Sequence, residues 1–351
     1  MGTYKNALYT SMYDALEKNE NTFIIGQGVA DHKGTFGTTL GLAKVFGPNR
    51  VIDTPLAEES VTGICIGSSL NGLYPINTHI RADFSLLAFN QLINHAAKYK
   101  YMFGGLFNIP MMVRLVVGRS WGQGAQHSQS LQSLFAHIPG LMVIMPSSPQ
   151  IILQSYNHAI SNHHGPLITI EHRLLYDLEF DEEGWGSISE SNPFSSRIVR
   201  KGKDITIIAT SIMVLECMRA AEYLSTYGID CEIIDLHCIS HPNHKMIIDS
   251  VSKTKHVLVA DTSWIPYGVS AEVGRILIEN NPNALSKPMA TLGMQPSPCP
   301  TAKSLEDIFY PTISDISNKV VQLVKDSENN EISLPAERSM SDFYKSFKGP
   351  F

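Results

Sequence analysis

Cysteine is scarce and unpatterned in this sequence. There are five, Cys65, Cys217, Cys231, Cys238 and Cys299, and no two have C-x-x-C spacing. An odd number without metal-ligand spacing excludes a disulfide framework or a zinc site and fits a reducing cytoplasm. No apolar run reaches the ~18 residues of a membrane span. The first twenty residues contain no apolar core before a small-residue cleavage site, so no signal peptide is expected. Met1-Gly2 is followed by Asn6, not the Ser or Thr that N-myristoylation wants. Charge is also sparse, at 17% of residues, and 33 acids against 27 bases leave a net charge of -6. Without a basic tract, nucleic acid is not an expected partner. Neither G-x-G-x-x-G nor G-x-x-x-x-G-K-[ST] occurs, so nothing supports dinucleotide or P-loop chemistry.

What is present is an ordinary globular composition, 43% apolar over 351 residues, enough for two domains with real cores. Residues 4–18 have helical apolar spacing. "TFIIGQGV" (22–29) and "RVIDTPLAEE" (50–59) read as strands ending in turns. Residues 60–76 read as a small-residue helix and a strand, and 86–103 as one helix. "PMMVRLVVG" (110–118), "LMVIMPSS" (141–148) and "PLITIEH" (166–172) are further strands, with a helix to about 162. This alternation predicts a doubly wound parallel α/β unit over 1–176. Residues 177–200 are acidic, rich in Gly and Ser, and read as a linker. A second α/β unit follows over 201–326, with strands at 204–210, 231–236 and 256–262 and helices at 212–226, 268–280 and about 313–325. Residues 327–351 form a polar tail with Phe343, Tyr344, Phe347 and Phe351, suited to docking or to a loose end.

Candidate chemistry sits at the predicted carboxyl ends of strands, where open α/β sheets place their sites. Glu58 follows the strand of "DTPLAEES", and only one of Glu58 and Glu59 can point inward. A helix-start charge is its plain alternative. Phe84 in "RADF" follows a strand, with Asp83 as the expected helix N-cap. His127 lies behind the glycine-rich run Gly118 to Gly124, where a general acid or base could close over a substrate. His163-His164 reads as a turn and "LHCISHPNH" (236–244) as a surface passage from strand to loop. A hydrolase built on Ser128 and Ser130 beside His127 ranks low, no nucleophile elbow being recognised.

Taken in order, "FGPNRVIDTPLAEE", "GSSLNGLYPI", "ADFSLLAFNQLINHAAKYKYMFGG", "AQHSQSLQSLFAHIPGLMVIMPSSP", "PLITIEHRLLY" and "IIDLHCIS" resemble one family over most of the chain. It is the beta subunit of the thiamine-diphosphate-dependent decarboxylating component of 2-oxo acid dehydrogenase complexes, of pyruvate, branched-chain or acetoin type. The resemblance implies an α/β fold of two doubly wound domains, an N-terminal pyrimidine-binding domain and a C-terminal transketolase-type domain. It implies an α2β2 assembly in which Glu58 meets a ring nitrogen of the cofactor's aminopyrimidine. That contact shifts the ring toward an imino tautomer able to take up a proton. Phe84 matches the stacking aromatic, Leu56 would line the apolar slot, and His127 matches the loop His that assists acyl transfer. The family's diphosphate motif, GDG…N, is missing here. The resemblance therefore assigns the diphosphate and magnesium to an alpha subunit, leaves half a site here, and makes the isolated chain inactive. It also implies a potassium site near Ala159, Asn162 and His164, and docking to a lipoyl acyltransferase core.

Departures from the family pattern include "GQGV" (26–29) in place of G-E-D-V, Arg81 in "RADF", His237, and Ala260-Asp261. Arg81 and Gln126 are candidate substrate contacts, Arg81 for an anionic group or as an ordinary solvated Arg. Two competing expectations accompany the main one. One is a two-chain thiamine-dependent carboligase with a small-molecule acceptor. The other is a catalytically empty scaffold subunit, against which Glu58, Phe84 and His127 all argue.

Overall fold

A computed structural model describes residues 2–119 and 122–325. The aromatic tail and Ser120-Trp121 lie outside the described residues. The chain divides into two compact units. Among the described residues, the first comprises residues 2–118 with Leu134–Glu182, and the second comprises Arg119–Ser133 with residues 183–325.

The first unit is built on a six-stranded parallel sheet. Its order is Val51–Asp53, Thr22–Gly26, Tyr74–His79, Met111–Val117, Pro166–His172, Met142–Ile144. Thr22–Gly26, Tyr74–His79, Met111–Val117 and Pro166–His172 are buried along their whole length, as expected for strands covered on both faces. The helices Tyr4–Lys18 and Pro149–Asn162 pack on one another. The chain enters this sheet at Thr22–Gly26, steps to one side for Val51–Asp53, and returns to the other side for Tyr74–His79. The strand order therefore reverses beside Thr22–Gly26, which opens a crevice at the carboxyl ends there. Gly26 has φ +151°, and a Cβ on it would collide with the Thr78 carbonyl, so this close approach requires glycine.

The core of this unit contains an ion pair. Arg114 and Glu171 are both fully buried and meet through two bonds, Nε–Oε1 at 2.7 Å and Nη2–Oε2 at 2.8 Å. Tyr156 and Tyr176 donate their hydroxyls to the same carboxylate at 2.8 and 2.6 Å, and Arg114 Nη2 donates to Thr38 Oγ1 at 3.1 Å.

The second unit carries a five-stranded sheet in the order Ala290–Met294, Val257–Trp264, Ile205–Ala209, Cys231–Asp235, Arg197–Arg200. Four strands are parallel, and Arg197–Arg200 closes one edge antiparallel. Helix Ile313–Val324 starts with a capping box in which Thr312 and Asp315 satisfy each other's backbone N–H groups. All five cysteines are free and buried.

The structure differs from the sequence expectation in several places. The helix expected over 86–103 is replaced by a 3₁₀ stretch at Ala82–Ala88, a π-helical stretch at Asn90–Ala96 and an α-turn at Tyr99–Met102. Apolar periodicity reports which side chains face inward, not which carbonyl each N–H reaches, and these turn types present similar inward faces. Within 177–200, Glu179–Phe180 pairs with Gly2–Thr3, and Arg197–Arg200 is the sheet edge just described. "LHCIS" is not a surface passage: Leu236 to Ile239 are buried, and His237 takes φ +47°. Helix His244–Thr254 and strand Ala290–Met294 are additions to the expected list.

Candidate functional site

Three neighbouring strand ends of the first unit converge on Glu58. Helix Glu58–Leu70 begins at this residue, after Val51–Asp53, with Ala57 as an N-cap that offers no side-chain bond. Glu58 and Glu59 share its first turn but diverge, since Glu58 is buried and Glu59 is exposed, accepting from Gln91 Nε2 at 3.0 Å. From the end of Thr22–Gly26, Gln27 Nε2 donates to Glu58 Oε1 at 3.0 Å. The next residue is fixed too, because Gly28 N donates to Asp53 Oδ1 at 2.9 Å.

The third strand end supplies Asn77 and His79. Asn77 Nδ2 donates to Thr62 Oγ1 at 3.0 Å and stands 3.1 Å from His79 Nε2. An amide N–H can only donate, so Nε2 accepts and the imidazole proton sits on Nδ1. Burial pushes the His79 pKa down to about 4, with the negative Glu58 opposing the shift. His79 is therefore a neutral ring at neutral pH. Its depressed pKa has a sign for stability. Below the ordinary His value of about 6.5 the unfolded chain takes up a proton that the native ring refuses until about 4. Native stability is thus expected to fall as pH drops through that window, by about 3 kcal/mol. Unfolding of wild type and of His79→Phe compared from pH 7 to 4 checks this. The variant should lack this part of the slope, and parallel curves would refute the assignment.

The apolar candidates lie nearby in the same unit. Phe84 is 37% exposed in the 3₁₀ stretch Ala82–Ala88, which packs on the Glu58 helix, and Leu56 is 81% exposed two residues before Glu58. Asp83 is not the N-cap expected for this stretch. Arg81 flanks it without a cap bond, and Asp83 lies inside it and is buried. Arg81 is not freely solvated. Its Nη1 donates to the Ile80 carbonyl at 3.0 Å, its guanidinium stands 5.8 Å from the Phe36 ring centroid, and burial lowers its pKa. At the other end of the unit, Ala159 is buried, and its carbonyl accepts the capping N–H of His163 at 3.2 Å. Asn162 and His164 are exposed.

His127 and Gln126 belong to the second unit, on the stretch Arg119–Ser133. Gln126 is exposed and His127 half-buried, its N–H directed at the Gly124 carbonyl at 3.4 Å. Against the expectation of no nucleophile elbow, Gly118 to Gly122 spells G-x-S-x-G. A nucleophile elbow needs a helix directly after its serine. Here the strand ends at Val117 and the next described helix starts at Gln132, so that context is missing among the described residues.

Sequence reasoning met Gln27 only as a departure from G-E-D-V and passed over Asn77 and His79. Each stands at a strand end beside the sheet's reversal point, the one signal that could have singled them out. Among the described residues no three His, Cys, Asp or Glu side chains converge as metal ligands, and no helix is long and apolar enough to cross a membrane. A cavity of about 430 Å³ lies in the second unit, between the edge strand and helix His244–Thr254. It holds none of the candidate residues, and its charges are paired as Lys253–Glu232 and Lys245–Asp249.

Comparison with known proteins agrees with both units. Residues 2–179 match the transketolase pyrimidine binding domain and residues 195–316 the transketolase C-terminal domain. The chain is 36% identical over 320 residues to the mitochondrial pyruvate dehydrogenase E1 component subunit beta of Bos taurus, covering 90% of this chain and 88% of that one. It is 34% identical over 319 residues to the corresponding subunit of Rickettsia conorii, covering 91% and 97%. The human mitochondrial subunit is 34% identical over 320 residues, covering 90% and 88%. A solved structure described as a split gene transketolase, inactive beta4 tetramer, superposes with a TM-score of 0.72 at 19% identity, over 92% of this chain and 98% of that one, and supports the fold. By its two domains and by its identity to these subunits along most of its length, the chain belongs to the transketolase-like family of beta subunits of the thiamine-diphosphate-dependent decarboxylating component of 2-oxo acid dehydrogenases.

Proposed function

We propose that this chain is the beta subunit of a pyruvate dehydrogenase-like enzyme and supplies the pyrimidine half of a thiamine diphosphate site shared with an alpha subunit. The observation that carries the reading is Glu58, a buried carboxyl group at a helix start, beside the reversal of the strand order and held by Gln27. A buried carboxyl group, with exposed Leu56 two residues before it and half-exposed Phe84 on the 3₁₀ stretch that packs on its helix, suits an aminopyrimidine ring. Thiamine diphosphate, when bound, supplies the electron sink that decarboxylation of a 2-oxo acid requires.

The chain's own residues would then divide the work. Glu58 holds and exchanges a proton at the pyrimidine ring. Gln27 keeps the carboxyl group in one orientation, and Phe84 and Leu56 cover the ring and exclude water. His127 serves proton transfer when the acyl group passes to its acceptor. Arg81 and Gln126 are proposed substrate contacts. Magnesium belongs to the partner with the diphosphate, and a potassium ion near Ala159, Asn162 and His164 belongs to the same proposal. The assembly is α2β2, inactive without its alpha chains, cytoplasmic, and docked on a lipoyl acyltransferase core.

Carbon dioxide release from pyruvate tests this, with thiamine diphosphate, magnesium and an artificial electron acceptor. The chain co-purified with an alpha chain carrying GDG…N should release carbon dioxide, and the chain alone should not. Release by the chain alone, or a complex that binds no thiamine diphosphate, would overturn the reading.

A further inference from the structure

The stretch that carries His127 is tied down at both ends within the second unit. Upstream, Arg119 is buried and ion-paired with buried Glu216, its Nη1 donates to the Pro311 carbonyl at 3.2 Å, and its guanidinium stands 5.4 Å from the Tyr310 ring centroid. Downstream, the tie is a buried polar cluster. Ser130 Oγ donates to Gln132 Oε1 at 2.7 Å, and Gln132 Nε2 donates to Asp261 Oδ1 at 2.9 Å. Ser263 Oγ donates to the Ser130 carbonyl at 2.7 Å. The same Asp261 oxygen accepts from Thr262 N at 2.8 Å and from Thr210 Oγ1, while Oδ2 has no partner. Every one of these side chains is at least nine-tenths buried.

The direction of these bonds matters. The Thr262 backbone N–H can only donate, so Asp261 Oδ1 is an acceptor, and the Gln132 amide has one orientation in which both of its ends are satisfied. That orientation fixes Ser130 in turn. Exposure changes abruptly at this point, from Ala125 and Gln126, which are exposed, to Ser128, which is buried. His127 stands at that boundary, three residues before Ser130, the first residue of the anchored cluster. Apolar packing would bury this stretch equally well, whereas a directional network of this kind also sets its rotation.

We infer that Gln132, held by Asp261, is a positioning residue that sets where the His127 imidazole stands during acyl transfer. The inference rests on the proposed role of His127. In the complex with its alpha chain, two rates separate the roles: carbon dioxide release to an artificial acceptor, and acyl transfer to a lipoyl domain. Gln132→Leu should slow acyl transfer about tenfold or more, because a small misplacement of a reacting group is expensive in rate. Thiamine diphosphate affinity should not change. Combined with His127→Ala, it should add no further loss, since both remove the same contribution. Asp261→Asn keeps the Oδ1 acceptor and should leave transfer within a few-fold of wild type, whereas Asp261→Leu removes it and should slow transfer as Gln132→Leu does. Carbon dioxide release at the wild-type rate shows that a variant is folded, so the Asp261 pair decides the matter even if Gln132→Leu fails to fold. Full acyl transfer in Gln132→Leu, multiplicative losses in the double variant, or equal transfer in Asp261→Asn and Asp261→Leu would overturn the positioning role. Full transfer in His127→Ala would overturn the role of His127 and, with it, this inference.

Discussion

Glu58→Gln in the assembled complex is expected to lower carbon dioxide release about 10²- to 10⁴-fold, the usual contribution of a positioned acid or base. The substitution is nearly isosteric, and the new carbonyl oxygen can still accept the Gln27 amide that now meets Oε1 at 3.0 Å. Shape and orientation are therefore preserved, and what is lost is the ability to hold and release a proton. Thiamine diphosphate should still bind. Glu59→Gln is the internal control. It shares the helix turn and the charge but is exposed and paired with Gln91, so its rate should stay within a few-fold of wild type. Wild-type release from Glu58→Gln would remove the central element of the proposed function. Equal losses from both variants would mean that the helix-start charge matters and the inward carboxyl group does not.

The second large effect is on stability. Arg114→Met should destabilise the first unit by about 3–5 kcal/mol, because it strands the Glu171 carboxylate in a fully buried position. The hydroxyls of Tyr156 and Tyr176 would remain as its donors, and two neutral donors do not replace a bidentate guanidinium. For a unit of this size the melting temperature should drop on the order of 10 °C. Adding Glu171→Leu to Arg114→Met should recover most of that loss, because paired apolar side chains avoid the stranded charge. Denaturant unfolding of the single and paired variants measures it. A paired variant no better than the single one would show that the tyrosines and Thr38, not the ion pair, carry the stability.

Much of this molecule was legible in its sequence. Thr22–Gly26, Met111–Val117 and Pro166–His172 are rich in β-branched or apolar residues and bounded by turn residues, and they form central strands where that pattern predicts. The sequence allowed only one of Glu58 and Glu59 to point inward, and the structure buries Glu58 and exposes Glu59. The losses have physical causes. Arg197–Arg200 pairs antiparallel with a strand more than thirty residues later in the chain, a register that no local pattern encodes. Asp83 looked like a cap, but the helix it would have capped is a mixture of turn types that begins two residues earlier than its carboxylate could serve. Gln27 and His79 acquire their meaning only when three separate strand ends are brought side by side. The Gln132–Asp261 tie joins residues 129 apart and was out of reach for the same reason.

Three of the five buried thiols have a practical consequence. Burial pushes Cys65 in the first unit and Cys231 in the second up to about 12, and Cys217 beside it up as well. Only the thiolate reacts with alkylating reagents or peroxides. Each sulfur thus stays chemically silent until the chain around it opens. Alkylation at Cys65 keeps time for the first unit and alkylation at Cys217 and Cys231 for the second, so the protein carries two built-in clocks whose readings, taken from one sample, tell which unit breathes first.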